Sequence, residues 1–284
     1  MVFTLLKRNK NALLVLISII TIASTIGIIF TINFVLNAKL HPPILIESDA
    51  DFIPYEFPGN GTQNNPYIIE DLRISASGRF SEAIHISNTN AFFIIRNCFI
   101  YTDYIGISLS DVAAGTSWII NNTCYSKTSD GGGIVLGQTT NCTIISNIIT
   151  NFMQGIHFNY ASHCLVQNNI VESNNNQGIN IRYSSYNIII NNTIKNSPQH
   201  GIALVGNANW NKIYHNVLIG NGYLETYNVD GRLSGTINSQ GFDEGNNNLW
   251  YNNVINQGNC WSDYIGIGNY SIDGPAGTED IYPL

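Results

Sequence analysis

Side chains able to do chemistry are scarce in this chain. Lys and Arg number 12 and Asp and Glu 19 in 284 residues, for a net charge of −7. Asp103 and Asp130 form the best acid pair. Glycoside hydrolysis needs two carboxylates about 5–10 Å apart, so these two would have to meet through the fold. A polysaccharide lyase would want an Arg or Lys base facing carboxylate-bound calcium, and Arg96 and Arg182 are the arginines available in mid-chain. A second group, Tyr223, Tyr227, Asp230, Arg232, Asp243 and Glu244, gathers between 220 and 248. Aromatic rings beside carboxylates suit sugar recognition, through stacking and hydrogen bonds. Metal chemistry has less to draw on. Copper wants clustered Met, Cys or His, yet Met1 and Met153 are the only methionines and the histidines are scattered. Five cysteines (Cys98, Cys124, Cys142, Cys164 and Cys260) cannot all pair, and no CxxC occurs among them. No metal site is expected. Nucleic acid is excluded, since it calls for a basic stripe.

The elements that must position these residues are set by a repeat. Gly133, Gly155, Gly178 and Gly201 fall 22 or 23 residues apart and open the same phrase: Gly133-Ile134-Val135-Leu136, Gly155-Ile156-His157-Phe158, Gly178-Ile179-Asn180-Ile181 and Gly201-Ile202-Ala203-Leu204. Fourteen residues after the first three come Asn147, Asn169 and Asn192. A fixed period of this size means one unit stacked on copies of itself. Short alternating apolar runs read as half-buried strands, and Asn, Gly and Ser between them supply turns. Stacked loops ~4.8 Å apart form parallel sheets along the stack. The expected fold is an all-β right-handed parallel β-helix of about eight coils. The recurrent asparagines, among about 40 in the chain, tolerate left-handed corners and can form ladders. Asp103 and Asp130 each close a coil at a similar turn. Cys142 and Cys164 should stack on adjacent coils as free, packed thiols.

The flanks differ. Residues 12–36 form an apolar run without charge, long enough to span a bilayer of ~30 Å. Lys7, Arg8 and Lys10 precede it, so residues 1–11 are expected in the cytoplasm and the repeats outside. The reading is an uncleaved, single-pass signal-anchor, with 37–58 as a Pro-rich stalk. The β-helix is expected over 59–257, with an excursion at 220–248, and 258–284 as a cap over the last coil. Five sequons, at Asn60, Asn121, Asn141, Asn191 and Asn269, agree with an exterior location.

The phrase G-I-x-φ…N-x-I resembles the repeats of the NosD-like right-handed parallel β-helix family, in the class of carbohydrate-binding and sugar-hydrolase β-helices. Gly59-Asn60-Gly61-Thr62-Gln63-Asn64-Asn65-Pro66-Tyr67-Ile68-Ile69 is similar to the segment leading into the first coil of such proteins. Gly258-Asn259-Cys260-Trp261-Ser262-Asp263-Tyr264 resembles their closing motif. The resemblance implies surface proteins of the archaeal type, or an accessory protein of copper delivery. Relatives often carry a calcium-like acidic stretch near the end; here calcium would require Asp263, Asp273, Glu279 and Asp280 to converge. The preferred expectation is a membrane-anchored surface module that binds carbohydrate or another surface protein without catalysis and without a cofactor. The alternatives are a polysaccharide lyase or glycoside hydrolase, and a metal-delivery protein.

Overall fold

The computed structural model describes residues 39–284, apart from 225 and 230–232. The anchor expected at 12–36 and the segment 1–11 lie outside the described residues. Among the described residues, no helix is long and apolar enough to cross a membrane.

The chain winds into a parallel β-helix of the right-handed type. One turn shows the design. Gln154–Asn159 lies in a first sheet, Leu165–Gln167 in a second and Ile170–Glu172 in a third. Every strand pairs in parallel with its equivalents one turn away, so the first sheet reads Ile134, Ile156, Ile179, Ile202 down one column. The three sheets hold eight, seven and nine strands. Ile156, Phe158, Val166 and Val171 point inward and are fully buried. Each turn closes its core against its own far side, which is why alternation so short suffices. Six turns, from Glu82 to Ile219, are regular. The expected count of about eight treats the irregular turns at both ends as coils.

The repeating glycines are there for space. A Cβ on Gly155 would sit 2.6 Å from the Gly178 carbonyl oxygen and against Val171, and Gly133 and Gly178 are similarly crowded. No positive φ is involved at these three positions.

The corners are held by polar ladders. Asn122, Asn147, Asn169, Asn192, Asn216 and Asn259 stack in one buried column. Each side-chain Nδ2 donates to the next Oδ1 at 2.9–3.0 Å. A second column runs Asn187, Asn211, Asn248, and a third runs Ser197, Asn221, Gln240. Left-handed corners precede them, as at Asn121 (φ 53°), Asn168 (φ 56°) and Asn191 (φ 55°), a conformation Asn bears at low cost.

Two expected boundaries are corrected. The presumed stalk at 37–58 is part of the solenoid: Ile44–Ile46 pairs with Ile84–Ile86, and Phe52 is fully buried, stacked on Tyr67 at 4.5 Å. Asp49 fastens it by accepting from Thr89 Oγ1 (2.5 Å) and the Asn90 N–H (2.8 Å). Prolines disfavour helix but do not prevent an edge strand and a 3₁₀ turn from burying Ile44, Ile46 and Phe52. The excursion is also shorter than 220–248, because Gly241–Asp243 returns to the first sheet beside Ile202–Leu204. Thr226–Val229 and Leu233–Thr236 form an antiparallel hairpin within it.

Candidate functional site

The acid pair does meet on one surface. Asp103 and Asp130 both line a cleft of about 490 Å³ with Arg79, Phe80, Tyr104 and Met153. Asp103 is already engaged. Its Oδ2 accepts from the Gly78 N–H at 2.7 Å, and its Oδ1 lies 3.4 Å from Lys127 Nζ. These contacts, the Gly78 N–H first, hold its carboxyl below the usual range. A general acid needs the opposite shift, so Asp103 is unsuited to be the acid of such a pair. Arg96 and Arg182 lie on different sheets, in Phe93–Arg96 and Ile179–Arg182.

Asp230 and Arg232 lie outside the described residues, and Tyr227 belongs to the hairpin. Tyr223 is exposed. Asp243 is fully buried and accepts from Trp250 Nε1 (3.0 Å), Asn248 Nδ2 (2.8 Å), the Gly245 N–H (2.9 Å) and Thr278 Oγ1 (3.1 Å). Glu244 Oε2 takes the Gly206 N–H at 2.6 Å. These two carboxylates hold the fold together and are not set to meet a ligand.

The same holds for the imagined calcium ligands. Asp280 accepts from the Asn259 N–H (2.7 Å) and Trp261 Nε1 (2.9 Å). Asp263 accepts from Gln240 Nε2 (2.6 Å) and the Tyr270 hydroxyl. Asp273 takes the Asn238 and Ser239 N–H groups and lies 3.2 Å from His200 Nε2. Glu279 accepts from Asn269 Nδ2 at 2.7 Å. Each carboxylate serves separate donors, so they do not converge on a cation. In the closing segment, Trp261 is stacked on Tyr270 at 4.0 Å.

The surface that stands out was missed from sequence. At the corner between the first and second sheets, His163, Tyr186 and Trp210 occupy one position in three successive turns. Their rings stack, with centroids 5.0 Å apart (interplanar 14°) and 6.4 Å apart (interplanar 3°). Tyr186 and Trp210 are each 51% exposed. All three have left-handed backbone, φ 59°, 61° and 59°. Such backbone costs a non-glycine residue roughly 1–2 kcal/mol and persists only where the surroundings impose it. Here N–H bonds to the next turn do so: His163 to the Ser185 carbonyl, Tyr186 to Asn209 and Trp210 to Asn246. Three residues upstream on two of these turns, Tyr160 and Tyr183 stack at 5.0 Å, also at positive φ. The Arg182 guanidinium lies 4.9 Å above the Tyr183 ring. The signal was in the sequence: Tyr160 and Tyr183, and His163 and Tyr186, are 23 residues apart, the same period as the glycines.

All five sequon asparagines (Asn60, Asn121, Asn141, Asn191 and Asn269) are exposed, while the neighbouring ladder residues Asn122 and Asn192 are buried. All five cysteines are free. Burial pushes the Cys98 and Cys164 thiols up to about 12 and raises Cys124 and Cys142 as well.

The family model described as "Periplasmic copper-binding protein (NosD)" matches residues 45–266. No curated protein matches the chain. Similar solved structures include a double mutant of the periplasmic alginate epimerase AlgG, at 22% identity and TM-score 0.46, covering 54% of this chain and 36% of that one. The Dettilon tailspike protein is 16% identical, TM-score 0.34, over 64% of this chain and 43% of that one. The A-module of Azotobacter vinelandii mannuronan C-5 epimerase AlgE4 is 12% identical, TM-score 0.35, over 75% and 69%. The chain thus spans less than half the length of the first two. None of these three likenesses bears on function.

The residues present do not fit a copper site. Among the described residues, no three His, Cys, Asp or Glu come together. The thiols of Cys98, Cys124, Cys142 and Cys164 are buried with raised pKa, where a metal ligand must be a thiolate. The match covers well over half of the chain, and the parallel solenoid, its repeated glycines and its asparagine columns all agree with it: this protein belongs to the NosD family.

Proposed function

We propose that this protein is a membrane-anchored, extracytoplasmic β-helix that binds polysaccharide without cleaving it. The observation that carries the reading is the half-exposed aromatic column His163, Tyr186, Trp210, repeated once per turn on rigid backbone. Aromatic side chains give a large contact area at low entropic cost, and stacked columns along a solenoid suit a chain-like ligand. The family's periplasmic description and the five exposed sequons support the exterior location. The anchor at 12–36 rests on its apolar sequence alone. Asp103, its carboxyl held low by the Gly78 N–H and Lys127, is unsuited to the general-acid role that a hydrolase needs from one of the pair. A surface-protein partner is the second reading, since the same rings would suit a protein interface.

The full chain in detergent, incubated with a panel of polysaccharides, tests this. Retention without chain shortening, lost in Trp210→Ala, is the expected result. Chain shortening would overturn the noncatalytic reading. Neither retention nor shortening would overturn the carbohydrate reading.

A further inference from the structure

The cleft that holds Asp103 and Asp130 is built at the corner between the third and first sheets, across four successive turns. Residues 78–80 come from the first of these turns, Asp103 and Tyr104 from the second, Thr128 and Asp130 from the third and Met153 from the fourth. One wall is Phe80, 66% exposed on left-handed backbone (φ 67°). A ring set out in water on backbone that bulky residues avoid must be held there by its surroundings. Side chains from the next two turns do this. Asp103 Oδ2 accepts the Gly78 N–H at 2.7 Å, and Lys127 Nζ donates to Ser77 Oγ at 2.8 Å. Tyr104 meets the Phe80 ring edge-on, with centroids 5.4 Å apart and planes at 84°, so the two rings stand as walls nearly at right angles. The exposed Arg79 places its guanidinium 5.2 Å from the Phe80 centroid. Asp130 is exposed, and its carboxylate makes no hydrogen bond or ion pair among the described residues.

We infer that this cleft is a second ligand site, one that takes a single neutral sugar unit. It goes beyond the polymer-binding reading above, and the two can fail separately. The aromatic column lies at the opposite edge of the first sheet and is open along the stack, as suits a chain. The cleft, at about 490 Å³, falls instead in the range of roughly 300–1,000 Å³ typical of small-molecule sites. Its charges balance: Asp103 is met by Lys127, and Asp130 is matched in number by Arg79, so nothing selects an ionic ligand. Its chemistry fits sugar hydroxyls, which both donate and accept. Asp130 only accepts and Arg79 only donates, while Phe80 and Tyr104 offer apolar surface to the C–H faces of a ring. Asp103 then acts on the loop that carries Phe80 and not on the ligand. A loop fastened in advance loses little freedom when the ligand enters.

The test is saturation-transfer NMR of the full-length protein in detergent, read against a detergent blank. The probes are the methyl glycosides of glucose, galactose, mannose and N-acetylglucosamine, with those of glucuronic acid and glucosamine as charged arms. The expected result is binding of at least one neutral glycoside with about millimolar affinity, the order open to so small a ligand. Phe80→Ala should weaken it about tenfold, and Asp130→Asn should weaken it about threefold. Both side chains are exposed, so neither variant threatens the fold. Trp210→Ala, on the other corner, should keep the signal. Absence of transfer to all four neutral glycosides would overturn the site. A signal lost in Trp210→Ala and kept in Phe80→Ala would overturn it too, by placing the sugar on the aromatic column. Tenfold tighter binding of either charged glycoside would overturn the neutral assignment. Glycoside binding without retention of any polymer would leave the cleft standing and show that the polymer-binding reading fails.

Discussion

Asp280 terminates the asparagine column at Asn259. Its Oδ2 accepts the Asn259 backbone N–H at 2.7 Å, where every earlier rung has an asparagine Oδ1 from the next turn. The other two columns end the same way, Asn248 on Asp243 and Gln240 on Asp263. Each terminal carboxylate also takes an aromatic donor: Trp261 on Asp280, Trp250 on Asp243 and Tyr270 on Asp263. The ladders have direction, with donors pointing toward the C-terminus. The last rung therefore leaves N–H groups without a partner unless the cap brings an acceptor. A carboxylate, which only accepts, answers that need, and the open solenoid end is covered at the same time.

Removing a terminal acceptor should loosen the cap. Asp280→Ala leaves the Asn259 N–H and Trp261 Nε1 buried without their acceptor and the part-buried Tyr282 N–H without its own, a loss of roughly 3 kcal/mol. Asp280→Asn should lose less, because one oxygen still accepts. Denaturant unfolding measures both; equal stability of Asp280→Ala and the parent would show that the cap does not depend on this contact.

The cap carboxylates also set a pH dependence. Burial raises Asp243 and Asp280 above the ordinary Asp value of 3.8, despite the donors around them. Between that value and the raised one, the folded state binds more protons than the unfolded. Their contribution to stability therefore falls as pH rises through this window. Asp49, held low chiefly by Thr89, acts oppositely: its contribution is present above 3.8 and is lost as pH falls. Stability measured from pH 3 to 7 should thus lose part of its downward component in Asp243→Asn. The same slope in parent and variant would contradict this.

Position on the corner should decide the cost of losing an asparagine. Asn169 is buried and accepts from both the Asn147 N–H and Nδ2 while donating to the Ile144 carbonyl. Asn169→Leu should cost about 2–4 kcal/mol, from orphaned groups at two turns. Its neighbour Asn168 is exposed, so Asn168→Gly should change stability by less than about 0.5 kcal/mol. Comparable losses at both sites would contradict the ladder.

The repeating glycine should resist even one added methyl. Gly155→Ala places a Cβ against Val171 and the Gly178 carbonyl, an overpacking cost of about 1–3 kcal/mol. A thermal melt within error of the parent would refute the steric account.

Thiol labelling distinguishes packed from reactive cysteines. Cys98, Cys124, Cys142 and Cys164 are buried, and Cys260 is partly exposed. In the native protein at pH 8, only Cys260 should react with a thiol reagent, and all five should react after unfolding. Rapid native labelling of more than one would show that the core opens.

The sequence by itself determined the solenoid. The 22–23-residue spacing of Gly133, Gly155, Gly178 and Gly201 and the column of Asn147, Asn169 and Asn192 are periodic, and periodicity survives without coordinates because each unit must stack on an identical neighbour. It also indicated that Asp103 and Asp130 share a surface, since both close coils at like turns. Tertiary structure decided what sequence could not: which carboxylates are free. Asp243 and Asp280 look like ligand residues in the chain, yet they are consumed by ladder ends: Asn248 with Trp250, a few residues on, for one, and Asn259 with Trp261, about 20 residues back, for the other. It also decided that 39–58 belongs to the solenoid, because Phe52 is buried only by meeting Tyr67 and Phe93. And it joined His163, Tyr186 and Trp210, three different residue types whose spacing follows the repeat but whose letters do not, into one column through the left-handed corner they share.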